Sequence, residues 1–211
     1  MPEEIVKYQR STRVLHWIHT GAFLLLFVTG LIIFIPAFGP AAAGGVTRII
    51  HRVAAVLFVA IPVLRFIMGP SSSLSGLLKA FVWDSGDVGW LKAAPRYYFL
   101  GDEKAMPAQG EMNSGQKLWW LITVVAWVVF TITGGIMWFG KETINPGALT
   151  TMVLLHDIMM AIIIPMIFVH IYLGIVHPLM TEAWNAIWRG TVTAEYAKKH
   201  HAKWYEEVKG K

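Results

Sequence analysis

Residues 152–180 read MVLLHDIMMAIIIPMIFVHIYLGIVHPLM, an apolar run interrupted only by Asp157 and three histidines. A helix of that length exceeds the roughly 20 residues, at about 1.5 Å each, that cross a bilayer core. Three earlier runs have the same character, at 14–38, 46–68 and 118–139. The 211-residue chain is 55% apolar and 15% charged, against about 45–50% and about 25% for a soluble domain. A surface facing lipid explains the excess and excludes a soluble enzyme. The expected fold is an all-α integral membrane protein, a bundle of four transmembrane helices at about 14–38, 46–68, 118–139 and 152–180. A tail at 181–211 follows, and 1–211 forms one membrane domain. The absence of cysteine removes disulfides, thiolate zinc sites, cysteine nucleophiles and the usual iron–sulfur ligands.

Four spans put both termini and the connector 69–113 on one side of the membrane. That side carries fourteen lysines and arginines; the other carries Arg48, Arg52 and Lys141, with Arg65 inside the second span. The positive-inside rule makes the termini cytoplasmic. The net charge of +5 thus reports orientation, and no nucleic-acid partner is expected because the basic residues do not share one solvated face. Lys7, Arg10 and Arg13 before the first run, with Ala41-Ala42-Ala43 after it, resemble a signal peptide, but the run is too long and holds two histidines. In the connector, Leu74, Leu77, Leu78 and Phe81 fall at helical spacing, and Trp83, Trp90, Tyr97 and Tyr98 follow. This predicts a helical segment lying in the lipid interface. The ten tryptophans read as an aromatic belt, Pro62 and Pro165 as tolerated kinks, and no repeat of fixed period stands out.

His16 and His19 begin the first span, His51 begins the second, and His156, His170 and His177 lie on the fourth. Ionisable groups at membrane depth are costly and mark function. His156 and His170 are 14 residues apart, which falls about 40° short of four turns and rises about 21 Å. They share one face at two depths. Chain direction then pairs His16 with His170 at inner depth and His51 with His156 at outer depth. Two axial imidazoles complete a porphyrin iron, whereas zinc would want two more ligands, so two b-type haems are expected on His16, His51, His156 and His170. Any one of these histidines alone could equally be a bonded core residue. Gly30, 14 residues after His16, would let a porphyrin approach the backbone, although small-residue packing explains it as well. Arg65, 14 residues after His51, could pair with a haem propionate or snorkel to the interface. Asp157 is expected to favour the positive helix N-terminus. His19 and His177 rank below His16 and His170 because neither keeps the 14-residue match.

Haems about 20 Å apart form an electron wire that needs a donor and an acceptor off this chain. An iron–sulfur protein outside and a lipid-soluble quinone, menaquinone or ubiquinone, are the expected pair. Just before the third span, Asn113, Gly115 and Gln116 could hold a quinone carbonyl beside the His16/His170 haem. A helix cap at Asn113 or Ser114 is the competing reading.

Five motifs stand out along the spans: Thr12-Arg13-Val14-Leu15-His16-Trp17, Thr47-Arg48-Ile49-Ile50-His51, Asn113-Ser114-Gly115-Gln116-Lys117, Leu154-Leu155-His156 and Val169-His170-Ile171-Tyr172. The most distinctive motif is in the tail, Ala197-Lys198-Lys199-His200-His201-Ala202-Lys203-Trp204-Tyr205. Together they resemble the cytochrome b (gamma) subunit of respiratory formate dehydrogenases over essentially the whole chain. The resemblance implies four helices, two haem b, and quinone reduction on the cytoplasmic side near His170, Asn113, Gly115 and Gln116. It also implies partners: an iron–sulfur (beta) subunit with one membrane anchor helix that feeds the outer haem, and through it a molybdenum or tungsten catalytic (alpha) subunit that oxidises formate. Quinone protonation from the cytoplasm would make the path electrogenic. His177 departs from the family pattern. His200 and His201 are expected to make a solvated surface that meets a subunit or lipid phosphate rather than a metal. The alternatives are a cytochrome b subunit of a hydrogenase or thiosulfate reductase, and a haem-free anchor or transporter whose histidines are bonded core residues or a proton relay.

Overall fold

Several helix ends in this chain fall where Pro, Gly or Asn forces them. The computed structural model describes residues 2–102 and 106–210; Lys104 and Lys211, two of the fourteen basic residues, lie outside them. Two compact units form, Gln9–Leu74 and Met1–Tyr8 with Ser75–Lys211.

In the first unit, α1 (Arg10–Phe34) stops at Ile35, which is extended (φ −83°, ψ 117°) because the ring of Pro36 disfavours a helical residue before it. A 3₁₀ turn (Pro36–Phe38) and the short α2 (Gly39–Ala43) follow. The expected span to residue 38 therefore ends four residues early. Gly45, at φ +79°, takes a left-handed turn open to glycine and starts α3 (Val46–Met68), as expected. α1 packs on α3, burying Ala22 and Thr29 on one and Ala54, Phe58 and Ile61 on the other. Small residues on such a stripe let helix backbones approach closely. Arg65 closes this unit: its Nη2 reaches Ser72 Oγ at 3.4 Å and its carbonyl accepts from Ser73 Oγ at 3.0 Å. The connector is helical as expected, α4 (Pro70–Phe81) and then α5 (Ser85–Leu100).

The second unit carries the other two spans. α6 (Ser114–Gly135) runs on through a π-turn to Gly140, and α7 (Pro146–Ile171) through another to Val176. α7 starts six residues before the expected 152, because Asn145 caps it (Ala148 N donates to Oδ1, 2.8 Å) and Pro146 supplies the first turn. Asp157 thus lies eleven residues inside α7, about 16 Å from its start, and its expected place at a helix N-terminus is overturned. Each of the four spans is long and apolar enough to cross a membrane, and the exposed faces carry side chains such as Leu24, Leu25, Val28, Leu154 and Phe168.

The tail differs from its expected form. β1 (Glu4–Val6) pairs antiparallel with β2 (Thr191–Thr193), Ile5 opposite Val192. α8 (Thr181–Trp188), α9 (Ala194–His200) and α10 (Ala202–Lys209) complete a small cap. Its core is Ile5, Ala186, Val192, Tyr196, Ala197 and Trp204. His201 is 2% exposed, and its Nδ1–H donates to Gly110 O at 2.8 Å, since a carbonyl can only accept. His200 Nδ1 lies 3.0 Å from Tyr97 Oη. His201 is therefore no part of a solvated surface, and half-buried His200 is tied to Tyr97. Ala197 of α9 and Trp204 of α10 are both buried, and non-helical His201 joins the two helices between them.

Lys7, nearly buried, donates to Glu111 O at 2.7 Å and sits 4.4 Å from the Trp204 ring centre. Burial pulls its ammonium down to about 7. Burial, with Lys7 nearby, pushes the His201 imidazole down to about 3. An unfolded tail binds the His201 proton near pH 6.5, whereas the folded cap resists it. The His201 contribution is complete above pH 6.5 and is lost as pH falls towards 3. The Lys7 contribution changes at higher pH, between 10.5 and about 7. Amide protection at 191–193 and 202–209, corrected for intrinsic rates, is expected to fall between pH 7 and pH 5. In His201→Gln, which keeps a donor for Gly110, this fall is expected to be distinctly shallower.

Candidate functional site

Two of the four candidate ligands have a fixed orientation. Thr29 Oγ1 lies 2.6 Å from Leu25 O and 2.8 Å from His51 Nδ1. A carbonyl only accepts, so the single hydroxyl proton goes to Leu25 and the imidazole must donate. His51 is therefore the Nδ1–H tautomer, with its lone pair on Nε2. The other unit repeats this arrangement. Thr133 Oγ1 is 2.6 Å from Val129 O and 2.8 Å from His156 Nδ1, which gives His156 the same tautomer. Metal-ligating histidines characteristically donate their second ring N–H in this way.

His16 and His19 are the candidates near the start of α1, and both have a buried Nδ1 without a hydrogen-bond partner among the described residues. His19 stacks on Phe58 (4.7 Å between ring centres), and His16 meets Trp17 edge-on (5.3 Å). His170 lies flat on Trp119 of α6, 4.5 Å away with 9° between planes. His177, ranked below His170, is a capping residue. Its Nδ1 accepts from Leu179 N (3.3 Å), so Nε2–H donates to the Tyr98 carbonyl (3.1 Å), and both ring nitrogens are in use.

This donor set fits a porphyrin iron. The iron brings its own equatorial nitrogens and asks the protein only for imidazole nitrogen, which His51 and His156 present as an Nε2 lone pair. Among the described residues no group of three or more His, Asp and Glu could hold a bare ion. Of the lesser candidates, Gly30 is half-buried and directly follows Thr29, and Arg65 is engaged with Ser72 at the end of α3.

The expected quinone motif heads α6. Asn113 Oδ1 accepts from Gln116 N and Gln116 Oε1 accepts from Asn113 N, both at 2.9 Å, a reciprocal capping box. The competing cap reading is thus realised, and it has a chemical consequence. Each amide oxygen is turned to a backbone N–H, so each side chain presents its NH₂ end, a pure donor, elsewhere. Gly115 is covered by Trp90: a Cβ there would come within 2.8 Å of the indole, so glycine is required by close approach. Asn113, Trp90, Tyr97, Tyr98, Met180 and His200 line one cleft. Burial pushes the Tyr98 phenol up to about 12, so it stays an O–H donor.

A polar network anchors this region. Buried Asp87 of α5 accepts from Ser114 Oγ (2.7 Å) and Lys117 Nζ (2.8 Å), and Ser114 also bonds Gln109. Burial works to raise the Asp87 carboxyl, yet Lys117 and Ser114 hold it below the ordinary range.

A bundle of histidine-bearing membrane spans with ligand-ready imidazoles defines a membrane cytochrome of the b type, and the chain belongs to the prokaryotic cytochrome b561 family, whose model matches residues 7–190. Haem b is that family's cofactor. The chain is similar to the formate dehydrogenase cytochrome b556 subunit of Haemophilus influenzae, 27% identical over 96% of this chain and 83% of the relative. It is also similar to the cytochrome b556(fdo) subunit of Escherichia coli K12 formate dehydrogenase (27% identical, 98% and 94% covered). The nitrate-inducible cytochrome b556(Fdn) subunit of the same strain is 26% identical, with 97% and 91% covered. The resemblance to formate dehydrogenase cytochrome b subunits is borne out.

The Asp87–Lys117 pair has side chains 3% and 17% exposed, and removing one partner from a buried pair costs about 3–5 kcal/mol. Lys117→Met is expected to lower the thermal unfolding midpoint in detergent by several degrees. Adding Asp87→Asn to that variant should restore most of the loss.

Proposed function

We propose that the chain is the dihaem cytochrome b membrane subunit of a formate dehydrogenase complex. It carries electrons from an external iron–sulfur subunit through two haems to a quinone reduced on the cytoplasmic side. The observation that carries the reading is on α6: the donor amides of Asn113 and Gln116 head the same helix whose Trp119 stacks on His170. Trp119 lies six residues beyond Asn113, about 9 Å along the helix, a separation suited to handing electrons from an inner haem to a quinone headgroup. The names of the relatives support membership of such a complex.

In this reading His51 and His156 hold the outer haem and His16 and His170 the inner one, a pairing that rests on helical spacing and chain direction. When bound, the haems supply reversible one-electron transfer at two depths. The rest falls to the chain's own side chains. Nε2 of His51 and His156 is held as a lone pair by the Thr contacts. Arg65 serves a propionate, and Gly30 leaves room beside the outer haem. The NH₂ groups of Asn113 and Gln116, with the Tyr98 hydroxyl, donate to quinone carbonyl oxygens, which only accept. Menaquinone or ubiquinone is the substrate, bound through Asn113, Gly115, Gln116 and His170 at the cleft of Trp90 and Tyr98. The termini are cytoplasmic in a bacterial inner membrane, as the fourteen basic residues against three support. The partners are an iron–sulfur subunit with one anchor helix and, through it, a molybdenum or tungsten catalytic subunit.

The pyridine haemochrome of the purified chain is expected to show two haem b per polypeptide; one or none overturns the pairing. His51→Ala and His156→Ala should lose one haem. His16→Ala and His170→Ala should lose the other, together with sensitivity to quinone-analogue inhibitors.

Asn113→Asp separates cap from substrate contact. Aspartate caps a helix as well as asparagine does but puts an acceptor where an amide donor stood. Haem content is expected to stay at the wild-type level while quinone reductase turnover falls about 10-fold or more, a loss of about 1.4 kcal/mol. Unchanged turnover removes Asn113 from the quinone site.

A further inference from the structure

The two hairpins share a pattern that no fixed sequence period displays. In α1, Ala22 and Thr29 are buried, Gly30 follows, and His51 stands 22 residues beyond Thr29. In α6, Ala126 and Thr133 are buried, Gly134 follows, and His156 stands 23 residues beyond Thr133. In each case the buried alanine and threonine are seven residues apart, two helical turns on one stripe. In each case the threonine hydroxyl spends its proton on the carbonyl four residues back, at 2.6 Å. Gly134 lies directly beside the imidazole: a Cβ there would be 3.6 Å from His156 Cε1, an ordinary packing distance.

We infer that Thr29 and Thr133 are positioning residues for haem ligation: each back-bonded hydroxyl fixes the tautomer of its histidine and aims Nε2 at the iron. The inference rests on His51 and His156 being ligands, as proposed above. Its physical basis is that a hydroxyl whose proton is committed to a carbonyl can only accept. A histidine facing it in hydrocarbon must donate from Nδ1, or leave a buried N–H unpaired. Donation from Nδ1–H to the threonine oxygen also makes the imidazole a stronger electron donor to iron, which favours the ferric state and lowers the midpoint potential. Thr29 and Thr133 therefore act through their histidines and touch neither iron nor substrate.

Valine has the shape of threonine without the acceptor, and serine keeps the acceptor without the methyl. Thr29→Val and Thr133→Val, made in the full chain and assayed in membranes with its partner subunits, are expected to raise the midpoint potential of one haem component. Its low-temperature EPR signal should shift, and its retention against apomyoglobin should weaken about 10-fold or more. Both variants should act on the same component, leave the second haem unchanged, and be rescued by Thr29→Ser and Thr133→Ser. Wild-type potential, EPR signal and retention in both valine variants overturn the inference; effects on two different components overturn instead the pairing of His51 with His156 on one haem. The underlying ligand reading fails separately, if His51→Ala or His156→Ala keeps both haems.

Discussion

Hydrocarbon offers a buried polar group no water, so every N–H and hydroxyl inside the spans must find its partner in the protein. That constraint shapes both hairpins. A threonine placed among valines and isoleucines has one proton and sends it to its own helix four residues back. The remaining lone pairs then face the neighbouring helix, and an imidazole answers them. One hydroxyl thus joins two helices, selects a tautomer and leaves an unprotonated nitrogen. The small residues on the same stripe, Ala22 with Thr29 and Ala126 with Thr133, bring the backbones close enough for that bond. Packing and ligand preparation are the same contact.

Outside the hydrocarbon a different economy holds, and polar groups are tied to backbone. The start of α6 is bound by the Asn113–Gln116 box, by Asp87 through Ser114 and Lys117, and by Gln109. The chain ends are closed over the cap core by β1 pairing with β2 and by His201 bonded to Gly110. These contacts hold Trp90 against Gly115 and bring Tyr97, Tyr98, Asn113 and His200 to one cleft. A capping amide shows its oxygen to the helix and its nitrogen outward. A residue can therefore terminate a helix and donate to a carbonyl substrate at once, and the two readings of Asn113 do not compete.

Membership of a b-type cytochrome family accords with a chain that has no cysteine and eight histidines. A protein of that composition takes up redox chemistry through imidazole and a porphyrin. His177 and His201 belong to the fold instead: both are buried, and each is bonded to a carbonyl that ends or braces a turn. Neutral histidine serves both purposes, which is why counting histidines does not identify ligands.

Four spans, the helical connector and the family resemblance are legible in residue order, because bilayer thickness sets a length and lipid sets a composition that local sequence must satisfy. Helix ends were misread by a few residues where Ile35 meets Pro36 and where Asn145 caps Pro146, since hydropathy does not register a cap. The fold of the tail is not legible in residue order: three-residue strands carry no periodicity, and His201 is buried with its ring bonded to Gly110, 91 residues away. Thr29 and Thr133 passed unnoticed because a hydroxyl in an apolar run normally satisfies itself on its own helix. Only tertiary structure brings a histidine 22 or 23 residues away to its lone pair, since that contact depends on how two helices pack and not on how either one is composed.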